Sequence, residues 1–142
     1  MVDVGAKDVT ERTAVAAGLV TMTEDTRSKV SRGELDKGDA LEVARIAGIM
    51  AAKRTPDLIP LCHPISLDSV DVTFEEVPEG FEVRATARAS ARTGVEMEAL
   101  AAVTVAALTV YDMVKGIQRD VAISNVRLIE KTGGKSGDYR GA

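Results

Sequence analysis

The segment ALAAVTVAALTVY, at residues 99–111, decides the fold of this chain. It carries no charged side chain, and only Thr104 and Thr109 interrupt its apolar residues, within a helix that we predict to run from Gly94 to about Gln118. A helix that is apolar on all sides is buried on all sides. Because one small sheet cannot cover such a helix alone, we predict that a second subunit packs along it.

Alternating patterns on both sides of this segment predict a sheet. Apolar and polar residues alternate from Phe81 to Arg92 and again over residues 70–75, which predicts two strands. The short turn at residues 78–80 makes these strands a hairpin. Residues 12–22 and 121–129 predict two further strands, the latter with a break near residues 124–125.

Capping signals predict two helices between the first strand and the hairpin. Thr23 is a typical N-cap for the first of them, and Gly33 closes it. Asp39 and Glu42 resemble the capping box of the second, which should end before Pro56.

The resulting order of elements is strand, helices, strand, strand, helix, strand. This is the split βαβ arrangement of a ferredoxin-like α+β fold, which predicts an antiparallel sheet with its helices on one face. The other face must be polar or covered by another subunit. Without a linker or an internal repeat, residues 1–142 are predicted to form one domain.

Composition excludes several classes of function. The chain has 142 residues, of which 45% are hydrophobic and 28% charged, as in an ordinary soluble domain. Only 3% are aromatic and the net charge is −4, which argues against nucleic-acid partners. One cysteine and one histidine exclude an intramolecular disulfide and a Cys/His zinc site within one chain. No secretion signal is present and the 99–111 segment is too short to span a bilayer, so we expect a cytoplasmic protein without a membrane partner.

Acidic and basic residues at the ends of the long helix are candidates for chemistry. Asp112 and Lys115 are three residues apart and share a helix face, as an acid/base pair or as an ordinary surface ion pair. Glu98 lies on nearly the same face but roughly 21 Å away along the axis. If both ends take part in catalysis, the sites are shared between subunits.

Two loops and the tail offer further candidates, each with a simpler alternative. His63 lies in a loop stiffened by two prolines and is either a site residue or an ordinary loop histidine. Its neighbour Cys62 would point to the opposite face of an extended segment, which disfavours a Cys–His dyad. Lys131 and Lys135 flank a Gly-Gly pair that could approach a phosphate or form a disordered tail.

Ordered strings along nearly the whole chain carry a family resemblance: residues 1–4, 37–39, 51–55, 57–64, 93–100, 106–115 and 133–138. Together they resemble the molybdenum cofactor biosynthesis protein C family, the cyclic pyranopterin monophosphate synthases. The resemblance implies a ferredoxin-like fold and a homohexamer built as a trimer of dimers, with sites at subunit interfaces.

The resemblance also implies the activity. The expected reaction is a lyase step that converts (8S)-3′,8-cyclo-7,8-dihydroguanosine 5′-triphosphate to cyclic pyranopterin monophosphate with release of pyrophosphate. The substrate comes from a radical-SAM GTP cyclase, the expected pathway partner. No cofactor is expected on dedicated protein ligands, and magnesium accompanying the triphosphate is left open.

Site residues are carried over by the same resemblance. The catalytic pair falls on Asp112 and Lys115. The glycine-rich tail, residues 131–142, is expected to contribute to the site. The substrate-binding positions are Lys37, Lys53, Leu61, Cys62, His63, Glu96, Met97, Glu98 and Lys131.

Two functions of other classes compete with the synthase. Small ferredoxin-like domains also serve as regulatory modules, so a non-catalytic oligomer that binds a nucleotide or pterin is the main alternative. Such a sensor does not require the Asp112/Lys115 pair beside cationic loops. A structural assembly protein would explain the apolar helix but not the lysines.

Overall fold

The computed structural model describes residues 1–141 of the chain, so Ala142, the last residue of the predicted tail, lies outside it. The described elements, in chain order, are β1 (Thr10–Thr21), α1 (Glu24–Ser31), α2 (Ala40–Lys53), α3 (Thr55–Leu58), β2 (Ser69–Val77), β3 (Gly80–Ala91), α4 (Glu96–Val114), β4 (Ala122–Thr132) and β5 (Tyr139–Arg140).

One sheet organises the domain. Its strand order is β2-β3-β1-β4-β5, and every neighbouring pair is antiparallel. The first four strands have the ferredoxin-like order, with the short β5 added at one edge. The predicted α+β fold is therefore confirmed.

Small residues allow α4 to lie close to the centre of the sheet. Ala16 and Ala85 are fully buried on paired strands, and Gly18 lies under Val103 of α4. A Cβ at Gly18 would be 2.9 Å from the Val103 side chain. The close approach therefore depends on residues with little or no side chain, which bring the helix backbone near the strands.

Helix α2 packs antiparallel to α4. Near its middle, Gly48 faces the carbonyl of Ala102 and the side chain of Val72. At its start, Lys37 reaches the last turn of α4, at Asp112. The C-terminal end of α2 is therefore at the same end of the domain as the N-terminus of α4.

The chain covers α4 on one side only. Val103, Ala106 and Val110 are fully buried, whereas Thr104 is exposed and Leu108 is 56% exposed. Length and composition alone would let this 19-residue helix cross a membrane, but about half of it is buried inside the domain. The chain alone does not bury this helix on every side, as expected of one small sheet, and the covering subunit stays a prediction.

Most predicted element boundaries are confirmed to within a few residues. Thr23 and Asp39 accept hydrogen bonds from N–H groups in the first turns of α1 and α2. The predicted break in the last strand is a bulge at Asn125, whose φ is 55°. Helix α4 ends at Val114, short of the predicted Gln118, and the N–H of Ile117 then bonds to the Val114 carbonyl three residues back, as in a turn.

Candidate active site

The C-terminal end of α4 carries a cluster that we call the aspartate group: Asp112, Lys115 and Lys37. The Lys115 Nζ lies 2.8 Å from Asp112 Oδ1, and the Lys37 Nζ lies 3.3 Å from Oδ2. Lys37 also donates to the main-chain carbonyl of Asp112 at 2.9 Å. The segment before α2 thus brings a second ammonium group to the aspartate.

Mutual contacts set the protonation states in the aspartate group. Hydrogen bonds from Lys115 and then Lys37, together with their positive charges, hold the pKa of Asp112 below its ordinary value. The hydrogen bond to Asp112 and its negative charge raise the pKa of Lys115. At neutral pH the cluster therefore presents a carboxylate and an ammonium group side by side. All three side chains are about half exposed, so a substrate can reach them.

The N-terminal end of α4 carries a second cluster, the glutamate group: Glu96, Glu98, Cys62 and Lys131. The Lys131 Nζ, from the end of β4, lies 2.7 Å from Glu96 Oε1. Cys62, from the loop after α3, places its Sγ 3.8 Å from Glu98 Oε1. Three distant segments of the chain therefore converge on this end of the helix.

Glu98 is a buried carboxyl group. It is 2% exposed, and its Oε2 has no hydrogen-bond partner among the described residues. Burial raises the pKa of Glu98, although hydrogen bonds from its own main-chain N–H and from Cys62 oppose the effect. A buried acceptor without a partner is costly, which marks this oxygen as a candidate contact for a ligand.

The neighbours of Glu98 titrate differently. Burial alone would raise the pKa of Glu96, but the hydrogen bond and charge of Lys131 bring it below its ordinary value. Burial and the nearby Glu98 charge raise the pKa of the Cys62 thiol. Because the thiolate is the nucleophilic form of cysteine, the raised pKa favours the unreactive thiol of Cys62.

Arg12 is a functional candidate that the sequence pattern missed. It lies on β1, is only 5% exposed, and contacts the end of β3 just before the glutamate group. With Lys7, Asp8, Lys135 and Gly134 it borders a cavity of about 520 Å³. A basic residue in a strand usually indicates a solvent-facing position, so only the burial of Arg12 singles it out.

The remaining predicted site residues lie on the glutamate side of the domain or on its surface. Lys53 ends α2 and borders a pocket with Ile65. His63 is half-buried in the loop next to Cys62, while Leu61 is 69% and Met97 36% exposed. The described residues contain no group of three or more His, Cys, Asp or Glu side chains placed to hold a metal ion.

The two clusters do not meet within one chain. Fourteen residues of α4 separate Glu98 from Asp112, which corresponds to roughly 21 Å along the helix. The structure therefore brings together Asp112, Lys115 and Lys37 at one end, and Glu96, Glu98, Cys62 and Lys131 at the other. Each cluster is therefore only a part of the residue set that the resemblance predicts.

The fold and these clusters define a ferredoxin-like α+β protein with a lysine-held carboxylate and a buried carboxyl group at opposite ends of one helix. Comparison with known proteins gives the family: residues 1–134 match the MoaC family. The chain belongs to this family, as the sequence predicted.

Curated relatives extend the similarity over the whole chain. The cyclic pyranopterin monophosphate synthase of Corynebacterium efficiens is 55% identical over 139 residues, which cover 98% of this chain and 90% of the relative. That of Heliobacterium modesticaldum is 56% identical over 141 residues, covering 98% and 89%. That of Brucella ovis is 57% identical over 141 residues, covering 98% and 86%. The aligned range thus spans both ends of α4.

Proposed function

We propose that this chain is a cyclic pyranopterin monophosphate synthase, a lyase of molybdenum cofactor biosynthesis. It converts (8S)-3′,8-cyclo-7,8-dihydroguanosine 5′-triphosphate to cyclic pyranopterin monophosphate and releases pyrophosphate. The observation that carries the proposal is an aspartate held between two ammonium groups, in a chain 55% or more identical to enzymes of that name. A regulatory binding module would not require this cluster.

The aspartate group supplies the proton transfers. Ring opening and rearrangement of the purine need a base and an acid close to the reacting atoms. Their contact keeps Asp112 ionised and Lys115 protonated at neutral pH, so Asp112 is the group that can accept a proton and Lys115 the group that can donate one. Lys37 keeps the carboxylate ionised and in place through its contacts with Oδ2 and the main-chain carbonyl.

The glutamate group and its surrounding cations bind the substrate. The unpartnered Oε2 of Glu98 accepts a hydrogen bond from the N–H groups on the guanidine-like edge of the base. His63 and the exposed Leu61 and Met97 border the same end of α4. Lys53 and Lys131 neutralise the phosphates as pyrophosphate leaves, and magnesium enters, where used, with the triphosphate.

Each complete site combines the aspartate group of one chain with the glutamate group of a neighbour. This follows from the separation of roughly 21 Å along α4, which exceeds the reach of one small substrate. We propose the homohexamer, a trimer of dimers, as the assembly that joins them. A radical-SAM GTP cyclase supplies the substrate, and the cytoplasm is the proposed location.

Pyrophosphate release from the cyclised triphosphate tests the proposal directly. We expect turnover with the wild-type chain and a loss of about 10²-fold or more in Asp112→Asn. Asp25→Asn is the matched control, because Asp25 forms a comparable pair with Lys29 on the surface of α1. If the wild-type protein binds the substrate tightly but releases no pyrophosphate, the synthase proposal is wrong and the regulatory binding module is favoured.

A further inference from the structure

Arg12 ties β1 to the segment that leads into α4. Its Nε donates to the carbonyl of Ala91 at 3.3 Å, and its Nη2 donates to the carbonyl of Arg92 at 3.1 Å. The side chain is 5% exposed. These contacts fix the guanidinium in one orientation against Arg92, which lies four residues before Glu96 in sequence.

The Gly133–Gly134 turn lies directly on this guanidinium. Both glycines have positive φ, +89° and +87°. A Cβ at Gly133 would overlap the carbonyl of Glu11, and a Cβ at Gly134 would overlap Arg12 Nη1. The turn therefore requires glycine for its conformation and for its close approach to β1.

The turn lies beside the contacts that hold Lys131. Lys131 lies two residues before Gly133 and reaches both Glu96 and the hydroxyl of Ser136. The main-chain N–H of Gly133 donates to Asp138. Arg12 thus lies between the start of α4, which carries the glutamate group, and the tail, which supplies the cation of that group.

We propose that Arg12 is a positioning residue that sets the Gly133–Gly134 turn and so places Lys131 and Lys135 for substrate binding. It acts through shape and directed hydrogen bonds, and its positive charge alone is not sufficient. The inference rests on the proposed function, because it assigns the tail lysines to the substrate.

Steady-state kinetics of pyrophosphate release test the role of the hydrogen bonds. Arg12→Lys keeps the charge but loses the two-pronged contact with the carbonyls. We expect the KM for the cyclised triphosphate to rise by about 10-fold or more in both Arg12→Lys and Arg12→Ala, because the cations that bind it are displaced. The kcat should change far less, because Arg12 acts on the groups that bind the substrate and not on the catalytic pair. Wild-type KM in Arg12→Lys overturns the proposal.

A second pair of variants changes the tail side of the contact between Arg12 and Gly134. Gly134→Ala places a methyl group against Arg12, whereas Gly137→Ala introduces the same type of backbone strain (φ +78°) with no neighbour within 4 Å. We expect Gly134→Ala to raise KM more than Gly137→Ala does. The double variant Arg12→Ala/Gly134→Ala should be worse than Arg12→Ala alone only by the backbone-strain effect that Gly137→Ala measures. Independent, multiplicative losses overturn the proposal.

Hydrogen exchange separates this proposal from the proposed function. We expect amide exchange in residues 131–141 to accelerate by about 10-fold or more in Arg12→Ala, while exchange in α4 stays unchanged. Unchanged exchange in the tail refutes the positioning role even if the enzyme is active. Full activity in Lys131→Ala instead refutes the tail's place in the site, whatever Arg12 does.

Discussion

Replacing Lys115 with alanine is the most direct test of the proposed proton transfers. The change removes the ammonium group 2.8 Å from Asp112 and leaves Lys37 at 3.3 Å. Lys37 keeps the carboxylate in place but points to its other oxygen. We therefore expect a loss of about 10²-fold or more in kcat, typical of removing a general acid, with a smaller change in KM.

The pH dependence of kcat provides a second measure of the same variant. The hydrogen bond from Lys115 is the largest cause of the lowered pKa of Asp112. Its loss raises that pKa, so the acid limb of the Lys115→Ala profile should move to higher pH. The alkaline limb due to Lys115, which lies above the ordinary lysine range because of Asp112, should disappear.

Stopped-flow or endpoint detection of pyrophosphate at saturating substrate gives kcat across the pH range. Arg45→Ala is the matched control, because Arg45 forms an i,i+3 pair of similar exposure with Glu42 on α2. Light scattering should show the same assembly for wild type and both variants. Near-full activity in Lys115→Ala, or an unmoved acid limb, would refute the assignment of donor and acceptor. Dissociation into single chains would instead indicate a structural ion pair.

Three further predictions concern burial and packing. Glu98→Gln should flatten the pH dependence of Tm. Because the pKa of Glu98 is raised in the folded protein, the wild-type fold loses stability as pH rises above the ordinary glutamate range. An equal decline of Tm in the variant contradicts this. Gly48→Ala should lower the free energy of unfolding, measured by urea titration, by about 1–3 kcal/mol, because its methyl group would lie 2.9 Å from the Ala102 carbonyl. Gly116→Ala is the control, because a methyl group there meets nothing within 4 Å. Leu108→Asp should shift the mass measured by light scattering towards the single chain, because Leu108 lies on the side of α4 that the chain leaves uncovered, and an unchanged mass excludes that side as the interface.

Local chemistry made much of the fold predictable. The hydroxyl of Thr23 and the carboxylate of Asp39 cap their helices as expected, because these caps depend only on residues within one turn. The period-2 pattern of β3 gave its bounds to within one residue. Helix α3 and strand β5 were not predicted, because four and two residues are too short for a periodic signal.

The part of the candidate site that depends on long-range contacts could not be predicted from residue patterns. The pair Asp112–Lys115 follows from helical spacing alone, but Lys37 is 75 residues away in sequence from Asp112. Only the family resemblance placed it in the site. Arg12 was missed because its partners, the carbonyls of Ala91 and Arg92, come from the register of β1 against β3, which residue types do not reveal.

The length of α4 has a genetic consequence. If each reaction centre takes one cluster from each chain, a lesion at one end of the helix in one chain and a lesion at the other end in its partner fall in the same centre of a mixed pair. Lys115→Ala and Glu98→Ala, each inactive alone, would then complement when unfolded and refolded together: one centre of a hybrid pair would carry both lesions and the other neither.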